Sequence, residues 1–249
     1  MSTTHSTDHR VALVTGGSRG IGEAAVLRLA AAGADVAFTY RSEEARAAEV
    51  AAKAEALGRR VRAIRADAAD PAAVRASVAE TVTAFGRLDI LVNNAGVGVI
   101  GPIGEMTADD VDRVLAVNIR AVYLATQAAV AHLGPGGRVI TIGSCMTERA
   151  AFPGGSLYAM SKAALTGLTK SLARELGSRG ITVNLVQPGP IDTEMNPADG
   201  PSSATQAAFT AVGRYGHASE VADLIAYLAG PEAGYVTGAA VAVDGGFAA

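Results

Sequence analysis

The chain has 249 residues, 49% hydrophobic and 18% charged, and its 21 Lys and Arg against 24 Asp and Glu leave a formal net charge of −3. That composition excludes a disordered protein, and large α/β domains reach about 250 residues as single units. The mild acidity, with no Lys/Arg run to neutralise phosphates, excludes a general duplex-nucleic-acid binder.

Residues 1–9 are polar and are expected to form a disordered tail. They lack the apolar core of an export signal, and no stretch approaches the roughly 18 uninterrupted apolar residues of a bilayer span. The expected location is cytoplasmic, with no membrane partner. From Arg10 onward, short Val/Ile/Leu-rich runs alternate with longer stretches of helical period, the pattern of βαβ units. Seven strands are predicted, at 11–15, 35–40, 61–65, 90–93, 138–142, 182–186 and 239–243. Most are continuous apolar runs, as burial on both faces of a parallel sheet requires. Pro71 suits a first helical turn, Thr107 with Asp110 forms a capping pair, and Gly58, Gly180 and Gly230 sit where helix C-caps belong. No linker, charge block or repeat divides the chain. The prediction is one Rossmann-type, doubly wound α/β domain over residues 10–249, with helices on both faces of a seven-stranded parallel sheet.

After the first strand comes Thr15-Gly16-Gly17-Ser18-Arg19-Gly20-Ile21-Gly22, then a helix-like stretch, 23–32. Glycine lets the backbone turn sharply and approach a pyrophosphate, and the helix N-terminus offers unpaired N–H donors. The spacing departs from G-x-G-x-x-G, but the strand, turn and helix context is that of a dinucleotide cradle. An ordinary βα turn is the alternative.

At the end of the second strand, a carboxylate accepting from the ribose 2′-hydroxyl would mark NAD. The chain has Tyr40-Arg41-Ser42 there. The Arg41 guanidinium, aided by Arg19 and the Ser42 hydroxyl, suits a 2′-phosphate instead, which favours NADP(H). The competing possibility is that Glu43 or Glu44 bends back as the acid while Arg41 is a solvated surface residue. Both acids are expected in the first turn of the next helix, capped by Ser42.

Thr141-Ile142-Gly143-Ser144 ends the fifth strand on the sheet edge that carries the glycine loop, so the Ser144 hydroxyl is placed to bond a substrate carbonyl oxygen. Tyr158 and Lys162, four apart, share a helix face. A nearby ammonium lowers a phenol pKa, at about 1.4 kcal/mol per unit, which would make Tyr158 a proton donor. Further on, 187–203 is irregular, with Pro188, Pro190, Pro197, Pro201, Gly189 and Gly200. It follows a strand's carboxyl end, where open parallel sheets bind ligands, so a substrate lid is expected, with a plain connector as the alternative.

Together these motifs resemble the short-chain dehydrogenase/reductase family over nearly the whole chain. T-G-x-x-x-G-x-G appears at 15–22, N-N-A-G at 93–96, Y-x-x-x-K at 158–162 and P-G at 188–189. The resemblance implies Tyr158 as acid/base, Ser144 orienting the carbonyl, Lys162 on the nicotinamide ribose, and Asn118 completing a proton relay. It further implies cofactor contacts from Gly16, Ser18, Arg19, Gly20, Ile21 and Gly22, from Asp67 and Ala68 at the adenine, from Asn94, Ala95 and Gly96 at its ribose, and from Pro188, Gly189, Ile191 and Thr193 at the nicotinamide end. Asp67 has a plain alternative as a strand-end turn residue. The serine-to-tyrosine separation is 14 residues where many members have 13, and 13 would land on Cys145. Ser144 is preferred because a thiol bonds weakly, and the longer spacing is similar to that of naphthol-type reductases.

A lone cysteine forms no intrachain disulfide and is expected to be structural. The four histidines are scattered, so no metal is assigned. The leading expectation is an NADPH-dependent reductase of a ketone or 3-oxoacyl-type carbonyl, working on a small-molecule substrate and reversible to alcohol oxidation. Its pocket would be shaped by 97–106 and 187–203; the methionines 106, 146, 160 and 195 do not decide its substrate. Segments 186–201 and 230–239 also resemble family members that bind cyclic di-GMP, which implies the alternative of a nucleotide-binding regulator or scavenger on a reductase scaffold. An inert structural protein has no need of this site. Apolar 236–243 and the Ala-rich helices near 121–131 and 163–173 suit isologous contacts, and the resemblance implies a homotetramer or homodimer.

Overall fold

In the computed structural model, which describes residues 10–249, the apolar runs lie side by side as a parallel sheet. The tail expected at residues 1–9 lies outside the described residues. The strands are β1 (Val11–Val14), β2 (Asp35–Tyr40), β3 (Val61–Arg65), β4 (Ile90–Asn93), β5 (Arg138–Ile142), β6 (Thr182–Pro188), β7 (Ile191–Asp192), β8 (Gly216–His217) and β9 (Ala240–Val243). Seven of them form the order β3-β2-β1-β4-β5-β6-β9, while β7 and β8 make a separate two-stranded pair that the sequence did not announce.

The helices are α1 (Gly20–Ala31), α2 (Glu44–Glu55), α3 (Pro71–Phe85), α4 (Ala108–Leu115), α5 (Ala121–Val130), α6 (Ser156–Leu176), α7 (Ser203–Ala208) and α8 (Ala218–Ala229). Strand side chains alternate between faces, and this divides the core. Ala12 and Val14 of β1 meet Val26 and Leu29 of α1, Val50 of α2 and Ile225 of α8 on one face. Leu13 belongs to the opposite face, with Val78 of α3, Ala125 of α5 and Leu176 of α6. The chain order reverses between β1 and β4, which are adjacent, with Leu13 opposite Leu91. A crevice opens there at the strands' carboxyl ends, where such sheets bind ligands.

Local signals mostly act as expected. Thr107 Oγ1 accepts from Asp110 N at 3.1 Å and Asp110 Oδ2 accepts from Thr107 N at 3.1 Å. Pro71 opens α3, and Gly58 and Gly180 take left-handed φ of 79° and 72°. Four expectations need correction. Gly230 ends α8 in extended backbone, φ −73° and ψ 168°, not as a left-handed cap. Ser42 does not cap α2: the helix starts at Glu44, and the Ser42 hydroxyl donates to Glu43 Oε1 at 3.4 Å. Helix α1 starts inside the glycine loop, at Gly20 rather than residue 23. Thr15 leaves the first strand because its hydroxyl is bonded to the turn after β4. Among the described residues no helix is long and apolar enough to cross a membrane.

Candidate active site

The glycine loop leaves β1 and is tied to both neighbouring strands. Gly16 N donates to Thr39 Oγ1 at 2.9 Å and Gly17 N to Thr39 O at 2.8 Å, while Asn94 Nδ2 donates to Thr15 O and Gly16 O at 2.9 Å each. Gly16 is left-handed, φ 68°. At Gly22 a Cβ would lie 2.0 Å from Gly16 O and 2.5 Å from Asn94 Nδ2, so the backbone folds onto itself more closely than any side chain allows. Ser18 is buried, Ile21 packs on the core, and α1 points its N-terminus into the crevice. The loop, the helix end and a strand end without a carboxylate fit a phosphorylated dinucleotide.

Tyr40 ends β2 half-buried, followed by exposed Arg41 and Ser42. Arg19, immediately before α1, is exposed as well, and both Arg19 and Arg46 pair with Glu194. A small cleft beside the loop is bordered by Thr15, Thr39, Ala66, Ala68, Asn93 and Ala95. Ala68 thus lines the crevice, whereas Asp67 is exposed and its Oδ1 accepts from Ala69 N at 2.8 Å, a turn-forming bond. The amide of Asn94 is spent on the glycine loop, so that residue shapes the crevice from behind.

Ser144 lies two residues past the end of β5, and its Oγ accepts from Met146 N at 3.2 Å as a short helical turn begins. Tyr158 lies in the first turn of α6. Burial pushes its phenol pKa up, a hydrogen bond with Ser144 pulls it down, and Cys145 adds to the rise. The lowering expected from Lys162 is therefore not what this chain shows: desolvation dominates. Lys162 is itself buried, pushed down to about 8 by desolvation, and donates from Nζ to Ile142 O at 2.8 Å, with Nζ 5.8 Å from the Tyr158 ring centre. Cys145 is buried with its thiol pushed up to about 12, so it is no competitor to Ser144 for chemistry near neutral pH.

Asn118 lies in a π-helical turn, Ala116–Arg120, between α4 and α5. Such turns cost helix regularity and are frequent at functional sites. Its Oδ1 accepts from Val97 N and its Nδ2 donates to Val97 O and Ser161 Oγ, all at 2.9 Å. A methyl on Gly96 would stand 3.4 Å from Lys162 Nζ and 3.5 Å from Asn118 Oδ1, so Gly96 joins the cradle to the catalytic candidates. Beyond β6, Gly189 N donates to Val243 O at 3.0 Å and Pro188 pairs with Val243. Ile191 is buried on β7, and Thr193 lies against Gly20, where a Cβ would approach Thr193 Cγ2 to 3.3 Å. The irregular stretch 187–203 is thus partly ordered by β7.

Sequence reasoning missed Gly17, where a Cβ would meet Phe38 Cβ at 2.6 Å, and the structural hydroxyl of Thr39. The doubled glycine was the available signal for the first; nothing in a β-branched strand residue announced the second. Ser161, between Asn118 and the Tyr158 carbonyl, was legible only as the residue before Lys162.

Comparison with known proteins agrees with this geometry. A family model described as Enoyl-(Acyl carrier protein) reductase matches residues 16–248. A crystallised short chain dehydrogenase from Burkholderia cenocepacia J2315, in complex with NADP, superposes with TM-score 0.96 at 55% identity over 97% of this chain and 99% of that one. A blue fluorescent protein from a metagenomic library, in complex with NADPH, gives the same TM-score of 0.96 and 55% identity, again over 97% and 99%. The cyclic-di-GMP-binding biofilm dispersal mediator protein of Escherichia coli K12 is 45% identical over 96% of this chain and 98% of its own. With the cradle after β1, the Tyr158–Lys162 pair and these matches along almost its full length, the chain belongs to the short-chain dehydrogenase/reductase family of oxidoreductases.

Proposed function

We propose that this chain is an NADP(H)-dependent carbonyl reductase acting on a small ketone or 3-oxoacyl-type substrate, and running in reverse as an alcohol dehydrogenase. The observation that carries it is the convergence of Ser144, Tyr158 and Lys162 on the crevice edge that holds the glycine loop. Bound NADPH supplies the hydride. The protein's own part is proton and charge control: the Ser144 and Tyr158 hydroxyls hold the carbonyl oxygen, and Tyr158 gives its proton to the developing alkoxide. An ordinary phenol already holds its proton at neutral pH, so Tyr158 enters the reduction as a donor, and its burial raises the pKa further. The Lys162 ammonium, over the ring, steadies the phenolate left behind. Ile100, Ile103 and Met195 stand exposed on 97–106 and 187–203, which favours an apolar substituent on the ketone.

The 2′-phosphate is the expected discriminator of cofactor, through Arg41 with Arg19. Support comes from the absence of a carboxylate at the end of β2 and from two neighbours crystallised with NADP or NADPH. The edge strand β9, with Ala240 and Ala242 exposed, supports assembly of copies into a homotetramer or homodimer. NADPH oxidation against a panel of ketones and an acetoacetyl thioester tests the whole scheme. Tyr158→Phe should lower turnover by about 10²–10⁴-fold with NADPH affinity retained; undiminished turnover would sink the assignment of the proton donor. The 45% identical relative named for cyclic di-GMP supports one other reading, a cyclic-dinucleotide-binding regulator. Saturable cyclic di-GMP binding together with no Tyr158-dependent turnover would favour it.

A further inference from the structure

Glu194, between β7 and α7, reaches from the lid to two guanidinium groups of the nucleotide half. Its Oε2 lies 3.3 Å from Arg19 Nη1, and its Oε1 pairs with Arg46 Nη1. Arg19 closes the glycine loop, and Arg46 sits in the first turn of α2, five residues past Arg41. The preceding lid residue, Thr193, rests against Gly20. The lid is therefore seated on the cradle by one side-chain contact and one carboxylate shared between two cations. Arg41 contributes its backbone carbonyl to Arg65 Nε at 3.3 Å, and its guanidinium is unpaired among the described residues.

A carboxylate and a phosphate are both acceptor-only groups that bind the same guanidinium fork. Glu43, at the cap of α2, and Glu49 within it add attraction for Arg46, and Arg46 with Arg19 holds the Glu194 carboxyl below the usual carboxylate range. A phosphate entering beside Arg41 meets Glu194 as a rival for Arg19 and Arg46. We propose that Glu194 is a specificity-determining latch: it holds the lid on Arg19 and Arg46 in the cofactor-free protein and yields at least one of them to the 2′-phosphate of NADP(H). Phosphate recognition and release of the lid are then one event, whereas NAD(H) leaves the latch shut. This rests on the NADP(H) reading above.

The test titrates NADPH and NADH into wild type and Glu194→Gln, and follows hydrogen exchange of the amides of 191–200 with adenosine 2′,5′-bisphosphate or adenosine 5′-monophosphate as probe. Glu194→Gln should bind NADPH about three- to tenfold more tightly, the scale of one or two exposed ion pairs, with NADH within about twofold. In wild type the bisphosphate, and not the monophosphate, should speed exchange in the lid; in the variant exchange should already be fast. Unchanged or weakened NADPH binding in Glu194→Gln, or lid exchange indifferent to the 2′-phosphate, overturns the latch. A wild type that prefers NADPH while the variant shows no shift overturns the latch alone. A wild type with no such preference overturns the cofactor reading and the latch together.

Discussion

The glycine loop and the lid face each other across one crevice and are built by opposite means. In the loop, backbone is held by backbone and by side chains of the neighbouring strand ends: buried Thr39 accepts from Gly16 N, Asn94 donates to Gly16 O, the loop's own Thr15 accepts from Asn94 N, and Gly22 admits no added atom. In the lid, order comes from exposed or half-exposed side chains bonding one another. Asn196 and Gln206 exchange amide bonds at 3.0 Å in both directions, and Asp192 Oδ1 accepts from Ala198 N at 2.9 Å. A pyrophosphate has the same shape whatever is reduced, so its cradle gains from rigidity. A substrate side must open, and regions that open are drawn from the weakly held end of a fold.

The comparison breaks most visibly at Gly22. Gly22→Ala places a methyl against Gly16 O and Asn94 Nδ2, and neither atom can retreat without losing a bond that holds the loop. Overpacking of this kind costs about 1–3 kcal/mol. Urea unfolding should show a loss at the upper end of that range, with NADPH affinity falling alongside. A stable Gly22→Ala protein that binds NADPH normally would mean the loop is as adaptable as the lid.

Lys162 extends the rigid side into the catalytic pair, and its burial gives a pH signature of smaller size. The folded-state pKa is pushed down to about 8, while the unfolded chain keeps this proton up to 10.5. Above about pH 8 the unfolded state holds more protons, so Lys162's contribution to stability rises with pH, by up to about 1.4 kcal/mol per unit. Cys145 opposes it above 9.0, where an unfolded thiol ionises while the folded one, pushed up to about 12, stays protonated. The clear window is therefore about pH 8 to 9. Urea unfolding of wild type against Lys162→Met should show the difference moving in favour of wild type across that window; parallel pH curves would mean the ammonium is better solvated than its burial indicates.

What the sequence made legible follows the same division. The five inner strands and the loop were visible because burial on both faces writes continuous apolar runs and because Gly16, Gly20 and Gly22 have a strict steric reason, while the edge strands β3 and β9 showed only as short Val- or Ile-containing segments. Ser144, Tyr158 and Lys162 were visible because strand end and helix spacing put them on one edge. Less visible was whatever depends on tertiary position. The loop's dependence on Thr39, the spent amide of Asn94, and the dominance of burial over the Lys162 charge at Tyr158 all arise from packing between distant segments. The lid showed as a run of Pro and Gly, but its β7–β8 pairing and its arginine partners, 175 and 148 residues away, carry no local signal.

The smallest effect is expected at Asn196. Asn196→Ala removes the paired amide bonds to Gln206 and the bond accepted from the Tyr215 hydroxyl at 3.2 Å, while Gln206 keeps its donation to Ser202 Oγ at 2.9 Å. Half-exposed Asn196 and Gln206 recover water when a partner is lost, and only the Tyr215 hydroxyl belongs to a buried residue, so global stability should fall by no more than about 1 kcal/mol. The local result should be larger than the global one: amides of 193–200 exchange faster, KM for the ketone rises severalfold, and NADPH affinity stays within about twofold. That split follows from a lid that opens without unfolding the sheet beneath it. If Asn196→Ala instead lowers stability as much as Gly22→Ala, or weakens NADPH binding as much as ketone binding, lid and cradle open as one unit and the contrast between them fails.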